Sequence, residues 1–169
     1  ASARSVVEDF SKKQDVFFKV SYAVEPRQNI AHARNRALEM EAADAFVFVD
    51  DDEWVEADWL KQLWETCLCS GADGVFGPVQ GQCPAGAPSW MSRGGFFDKN
   101  VPATGTSIGW RDTRTSNTLV RGKWLKGEEA FRFDPQLGRS GGSDSELFSR
   151  LERADAHFVS CQEAGVSEE

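Results

Sequence analysis

The chemistry-bearing residues of this chain gather first in Phe46-Val47-Phe48-Val49-Asp50-Asp51-Asp52-Glu53-Trp54, where carboxylates follow a short apolar run. In extended backbone Asp50 and Asp52 point to one side and Asp51 to the other. Unit charges about 5 Å apart repel by roughly 1 kcal/mol in water and roughly 3 kcal/mol at an effective dielectric near 20. Such a run calls for full solvation or for a cation. Oxygen ligands of this kind favour Mg²⁺ or Mn²⁺, with coordination sites left for phosphate oxygens and water. The other reading is a solvated turn whose acids cap a helix beginning near Asp58. A calcium helix-loop-helix is not spelled here: Val55 stands where its glycine belongs, and Trp59 through Lys61 supply no closing glutamate. An aspartate-nucleophile phosphatase is also a poor fit to Glu53-Trp54.

Two other stretches carry usable groups. Gly141-Gly142-Ser143-Asp144 opens a helical pattern, and either seats a carboxylate rigidly or is a glycine turn with Ser143 or Asp144 as the cap. Ala33-Arg34-Asn35 brings a guanidinium and an amide into an alanine-rich helical stretch.

Alternating elements must position these groups. Ser5–Phe10 reads as the tail of a helix, and residues 16–24 as a strand ending at Pro26. Asn29 caps a predicted helix over residues 30–40 with Ile30, Ala33, Ala37 and Met40 on its inner face. Residues 45–49 read as a strand buried on both faces. A helix from Asp58 to Ser70 follows, with Trp59, Leu60, Leu63, Trp64 and Cys67 inward and Gly71 past its end. Residues 74–76 and 115–121 read as strands, 144–153 as a helix with Leu147, Phe148 and Leu151 inward, and 157–160 as a last strand. Residues 80–113, punctuated by glycine, proline and serine, form a long functional or partly disordered loop. The alternation predicts one α/β domain over residues 1–169, with a Rossmann-like layer and a mostly parallel central sheet.

Composition narrows the function classes. A net charge of −8 lacks the basic footprint of a nucleic-acid binder and suits an anionic ligand bridged by a cation, although acidity also simply aids solubility. No apolar run reaches the roughly 18–20 residues of a membrane span, and no leader opens the chain, so a soluble protein is expected. Cys67 and Cys69 are too close for paired zinc-ligand turns and fall on different faces of a helix, so reduced thiols are expected.

The order of these pieces resembles the bacterial glycosyltransferases of family 2. The motifs are Asn29-Ile30-Ala31-His32-Ala33-Arg34-Asn35, Asp50-x-Asp52, Trp59-Leu60 and Gly141-Gly142-Ser143-Asp144-Ser145-Glu146-Leu147-Phe148, spaced over nearly the whole chain. The resemblance implies the nucleotide-diphospho-sugar transferase fold and transfer with inversion from a nucleotide-sugar donor to a glycan, lipid-linked or other hydroxyl acceptor. It implies a cation (Mg²⁺ or Mn²⁺) on Asp50 and Asp52, and donor contacts from Arg34, Asn35, Asp50 and Asp51. Asp144 matches the general base, and Trp110, Asn117, Gly141 and Gly142 match segments that line the acceptor side. Ser143 departs from the pattern, since many relatives have glutamate there. Relatives also open with a strand, a helix and a second strand that do not occur here, so an N-terminally incomplete fold with weak donor binding is expected. The expected setting is bacterial surface polysaccharide or glycolipid synthesis in the cytoplasm or at the inner face of the membrane. Two other classes remain: a non-catalytic glycan- or partner-binding remnant of the fold, and a metal-dependent nucleotidyltransferase.

Overall fold

The computed structural model describes residues 3–13, 18–83, 86, 88–95 and 97–168. Its centre is a sheet built from β1 (Ala45–Phe48), β3 (Gly74–Phe76), β5 (Thr118–Arg121) and β6 (Phe158–Ser160), in the order β1-β5-β3-β6. Apolar side chains alternate along these strands and feed a core on each face. Phe76, Val120 and Phe158 enter one core with Leu147, Phe148 and Leu151 of helix α6 (Ser143–Arg153). Val75, Leu119 and Val159 enter the other, with Trp59, Leu63 and Cys67 of helix α3 (Trp59–Ser70).

Helix α6 is locked to its face by aromatic packing. Phe148 meets Phe76 edge-on at 5.1 Å and Phe158 at 5.7 Å, and Phe76 meets Phe158 at 5.6 Å. Edge-on pairs of this kind contribute about 0.5–1.5 kcal/mol each beyond their buried area. The same contacts therefore fix the helix that begins with Ser143 and Asp144.

The parallel sheet needs qualification. β1, β3 and β6 run in one direction, but β5 lies between β1 and β3 and pairs antiparallel with both. Its first residue, Thr118, lies opposite Phe76, the last residue of β3. The long connection thus returns the chain to the sheet at the end it left, and β5 must run backwards. Part of that connection is ordered along β6, where Ile108 N–H donates to the Phe158 carbonyl and Ser160 N–H to that of Thr106. It also carries helix α4 (Ser89–Gly94) and a single 3-10 turn at Trp110–Asp112.

A second, small sheet was not legible in the sequence. It joins β2 (Glu53–Val55), β4 (Val79–Gly81) and β7 (Val166–Glu168), with β7 in the middle. Its strands are too short to show a period.

Helix α1 (Arg4–Ser11) matches expectation, as do the span and cap of helix α2 (Ile30–Met40), whose Asn29 side chain accepts from the amides of Ala31 and His32. The face of α2 is the reverse of the one expected. Ala31 and Leu38 are buried, whereas Ile30, Ala33 and Ala37 line an open cleft of about 380 Å³ beside β1. β1 explains this: all its residues are only half-buried, because it is an edge strand. Leu60 and Trp64, expected inward, are likewise exposed on the β1 side of α3. The expected strand over residues 16–24 does not form in its described part: Phe18 and Val24 are exposed and find no ladder partner, and residues 16 and 17 lie outside the described residues.

Candidate functional site

The acidic run turns rather than extends. Glu53 N–H donates to the Asp50 carbonyl at 3.2 Å, which puts Asp51 and Asp52 at the corners of a turn, exposed to solvent. Neither forms a hydrogen bond or ion pair among the described residues, so both carboxylates are available to a ligand. Asp50 is more enclosed. Burial raises its carboxyl above the ordinary range, Glu53 adds to the effect, and Arg34 opposes it.

Arg34 connects this turn to the other candidate carboxylate. Its Nη2 lies 3.9 Å from Asp50 Oδ1, and its guanidinium stands 5.4 Å from the centre of the Phe133 ring. Burial pushes the guanidinium's pKa down, and the negative charges of Asp50 and Asp144 both oppose that shift. The three groups therefore share one electrostatic neighbourhood.

Asp144 sits in the first turn of α6, and the cap position belongs to Gly142, with no side-chain capping bond. The carboxylate is thus not taken up as a cap. Oδ1 accepts from the Ser145 amide at 2.9 Å, and Oδ2 has no partner among the described residues. Gly141 and Gly142 take φ of 86° and 87°, a left-handed pair that side chains disfavour, and both are exposed.

The approach to α6 is clipped to α2. Phe133 N–H donates to Asn35 Oδ1, Asn35 Nδ2 donates to the Phe133 carbonyl, both at 2.9 Å, and Asn29 Nδ2 donates to the Pro135 carbonyl. A Cβ on Gly138 would fall 1.9 Å from Asn29 Oδ1, so only glycine permits this approach. These bonds hold Arg34 of α2 in register with the segment leading to Asp144.

They also give Asn35 a structural task. One N–H and one lone pair of its amide are taken by Phe133, so it positions Arg34's helix. Asn117, expected on the acceptor side, is fully buried: it accepts from Trp59 Nε1 and donates to the carbonyls of Pro78 and Ala164. Its role is to tie α3 to two loops. Trp110 packs on the α6 core under Arg111, and its amide donates to Glu152. Glu152 is eight residues beyond Asp144 on α6, about 12 Å along the axis, so the Trp110 backbone is tied to the far end of that helix. Trp90 is exposed on α4.

For a cation, the residues fit a shared site rather than a closed one. Among the described residues no three acidic, histidine or cysteine side chains converge. Mg²⁺ is commonly held by one or two carboxylates together with substrate phosphates, and the exposed, unpaired Asp52 beside Asp50 offers that donor set. The cysteines among the described residues are free, with Cys67 and Cys161 buried and Cys69 exposed. No helix among the described residues is long and apolar enough to cross a membrane.

Phe133 under Arg34 was not legible in the sequence, because an aromatic residue in a loop reads as ordinary core. Nor did it separate Glu53 from its acidic neighbours.

The α/β layer, with its acidic turn after β1 and Asp144 in the first turn of α6, is that of a glycosyltransferase fold. The chain belongs to glycosyl transferase family 2, whose sequence pattern matches residues 2–125. Arg34 and the acidic turn lie inside that match, and Asp144 lies beyond it. Over 169 residues the chain is 37% identical to the succinoglycan biosynthesis protein ExoM of Rhizobium meliloti (strain 1021), covering 99% of this chain and 52% of that protein. Crystal structures of S. aureus TarS 1-349 share the fold at 18% identity. The complex with UDP-GlcNAc gives a TM-score of 0.68 and covers 99% of this chain and 46% of that one. The complex with UDP gives 0.66 and covers 97% and 46%. The chain spans about half the length of these relatives.

Proposed function

We propose that this chain carries the reaction centre of a glycosyltransferase that moves a sugar, with inversion, from a nucleotide-diphosphate donor to a hydroxyl acceptor in bacterial polysaccharide synthesis. The observation that carries the reading is the approach of Arg34 Nη2 to Asp50 Oδ1 at 3.9 Å, on a guanidinium whose charge both Asp50 and Asp144 favour. The name of the R. meliloti relative supports polysaccharide synthesis, and the TarS complexes support a uridine nucleotide sugar.

The roles follow from the groups. The guanidinium of Arg34, braced on Phe133, directs donors at the diphosphate oxygens and fixes the sugar's anomeric carbon. Asp144 takes the acceptor hydroxyl's proton as that oxygen bonds to C1. The C1–O bond to the diphosphate breaks on the opposite side, and its electron pair leaves with the nucleoside diphosphate. Gly141 and Gly142 leave room for an acceptor beside Asp144. Asp52 and Asp50 would hold the divalent cation, which when bound offsets charge developing on the departing diphosphate.

The test is calorimetric titration of UDP-GlcNAc into the protein with Mn²⁺ and with EDTA. Binding is expected to strengthen with Mn²⁺ in the parent, and Asp52→Asn to remove that gain. Equal binding in both conditions contradicts the cation assignment.

A further inference from the structure

Glu53 completes the acidic run in sequence, yet its geometry differs from that of its neighbours. It is half-buried, whereas Asp51 and Asp52 are exposed. Its Oε2 accepts the Asp50 amide at 2.8 Å, and its Oε1 accepts the hydroxyl of buried Ser116 at 2.5 Å. Its own amide donates to the Asp50 carbonyl. Glu53 thus closes the turn from both ends of Asp50, and both carboxylate oxygens are already engaged.

The other end of this link is firmly placed. Ser116 immediately precedes Asn117 and β5, whose residue Thr118 pairs with Phe48 at the end of β1. Arg114, two residues earlier, donates from Nη2 to the carbonyls of Gly77 and Lys99, while its Nε is buried without a hydrogen-bond partner. The negative charge of Glu53 counters the burial of that guanidinium. Two hydrogen bonds therefore hold the end of this side chain in place, one to each oxygen.

We infer that Glu53 is a positioning residue, not a ligand: it clamps the Asp50–Asp52 turn to Ser116, so that Asp52 is presented to the cation and diphosphate. This rests on the donor-site reading of the turn. It goes beyond that reading by assigning the fourth acid a separate task. Outer-shell groups of this type cost about 10–100-fold in metal affinity when removed.

The experiment uses Mn²⁺ alone as the probe, with affinity read by electron paramagnetic resonance for the parent, Glu53→Gln, Glu53→Ala, Ser116→Ala and Asp52→Asn. Amide hydrogen exchange at Asp50 is followed in parallel, with thermal melts as the folding control. Glu53→Ala is expected to lose about 10-fold in Mn²⁺ affinity and to release Asp50 amide protection. Glu53→Gln, which keeps an acceptor for that amide, is expected to retain protection and to stay within about 3-fold of the parent in affinity. Ser116→Ala is expected to fall between Gln and Ala. In turnover with UDP-GlcNAc, the Ala variant raises KM more than it lowers kcat. The inference is overturned if Glu53→Gln loses Mn²⁺ as completely as Asp52→Asn, which would make Glu53 a ligand. It is also overturned if Glu53→Ala leaves Asp50 exchange unchanged. A parent that binds no Mn²⁺ defeats the cation reading instead, and Asp50 exchange then decides the clamp on its own.

Discussion

Arg34 and Asp50 face each other at 3.9 Å, with the Arg34 guanidinium resting over Phe133 and mostly shielded from water. That separation is long for an ion pair, and both partners are shifted by burial away from their charged forms. An anionic group with several acceptors would satisfy the guanidinium better than Asp50 does. In the proposed function that group is the donor diphosphate.

Replacing Arg34 follows directly. Hydrogen bonds to charged groups contribute about 1.5–3 kcal/mol, so Arg34→Ala should weaken UDP-GlcNAc binding by roughly 10–100-fold. Arg34→Lys keeps the charge but loses the planar fork, and should recover only part of the affinity. Calorimetric affinities for the three proteins check this, and equal affinities would remove Arg34 from the donor site.

Asp50 should show its strain in the pH dependence of stability. Its folded pKa is raised, so the folded state binds its proton more tightly than the unfolded chain does. Stability is therefore lost as pH rises through that interval, and the penalty is fully present above the folded pKa. In EDTA, Asp50→Asn should melt above the parent at neutral pH. The gap should close below about pH 4, where Asp50 is protonated in both states. Melting curves across that range test the sign.

Asn117→Ala should act on stability, not on acceptor recognition. It strands the Trp59 indole N–H and removes the donors to two buried carbonyls. Each unsatisfied buried group costs about 1–3 kcal/mol, so a loss of about 3 kcal/mol is expected. For a domain of this size that lowers Tm by about 6–12 °C. An unchanged Tm together with altered acceptor use would restore Asn117 to the acceptor side.

How much of this was readable in the letters depended on the range of the interactions. Asn29 capping α2 and Leu147, Phe148 and Leu151 facing inward on α6 are local patterns, whereas the acidic run after β1 did not show from its letters whether it extends or turns. The exposure of Ile30, Leu60 and Trp64 was not readable, because an apolar stripe does not say which neighbour covers it. The antiparallel β5 and the sheet of β2, β7 and β4 depend on pairings across many residues. Asn35 and Asn117, as polar residues inside recognised motifs, suggested ligand contacts, and the sequence showed nothing of the long-range partners that their amides find. Asp50, Asp52, Arg34 and Asp144 were named from motif order, and their shared neighbourhood emerges only from the fold.

The most direct test of the account is Asp144→Asn, measured as UDP release from UDP-GlcNAc beside donor affinity by calorimetry. Loss of a positioned general base should slow release by about 10²–10⁴-fold, while donor affinity stays within about 3-fold of the parent. Release at the parent's rate in the variant, or no release by the parent despite donor binding, would contradict it.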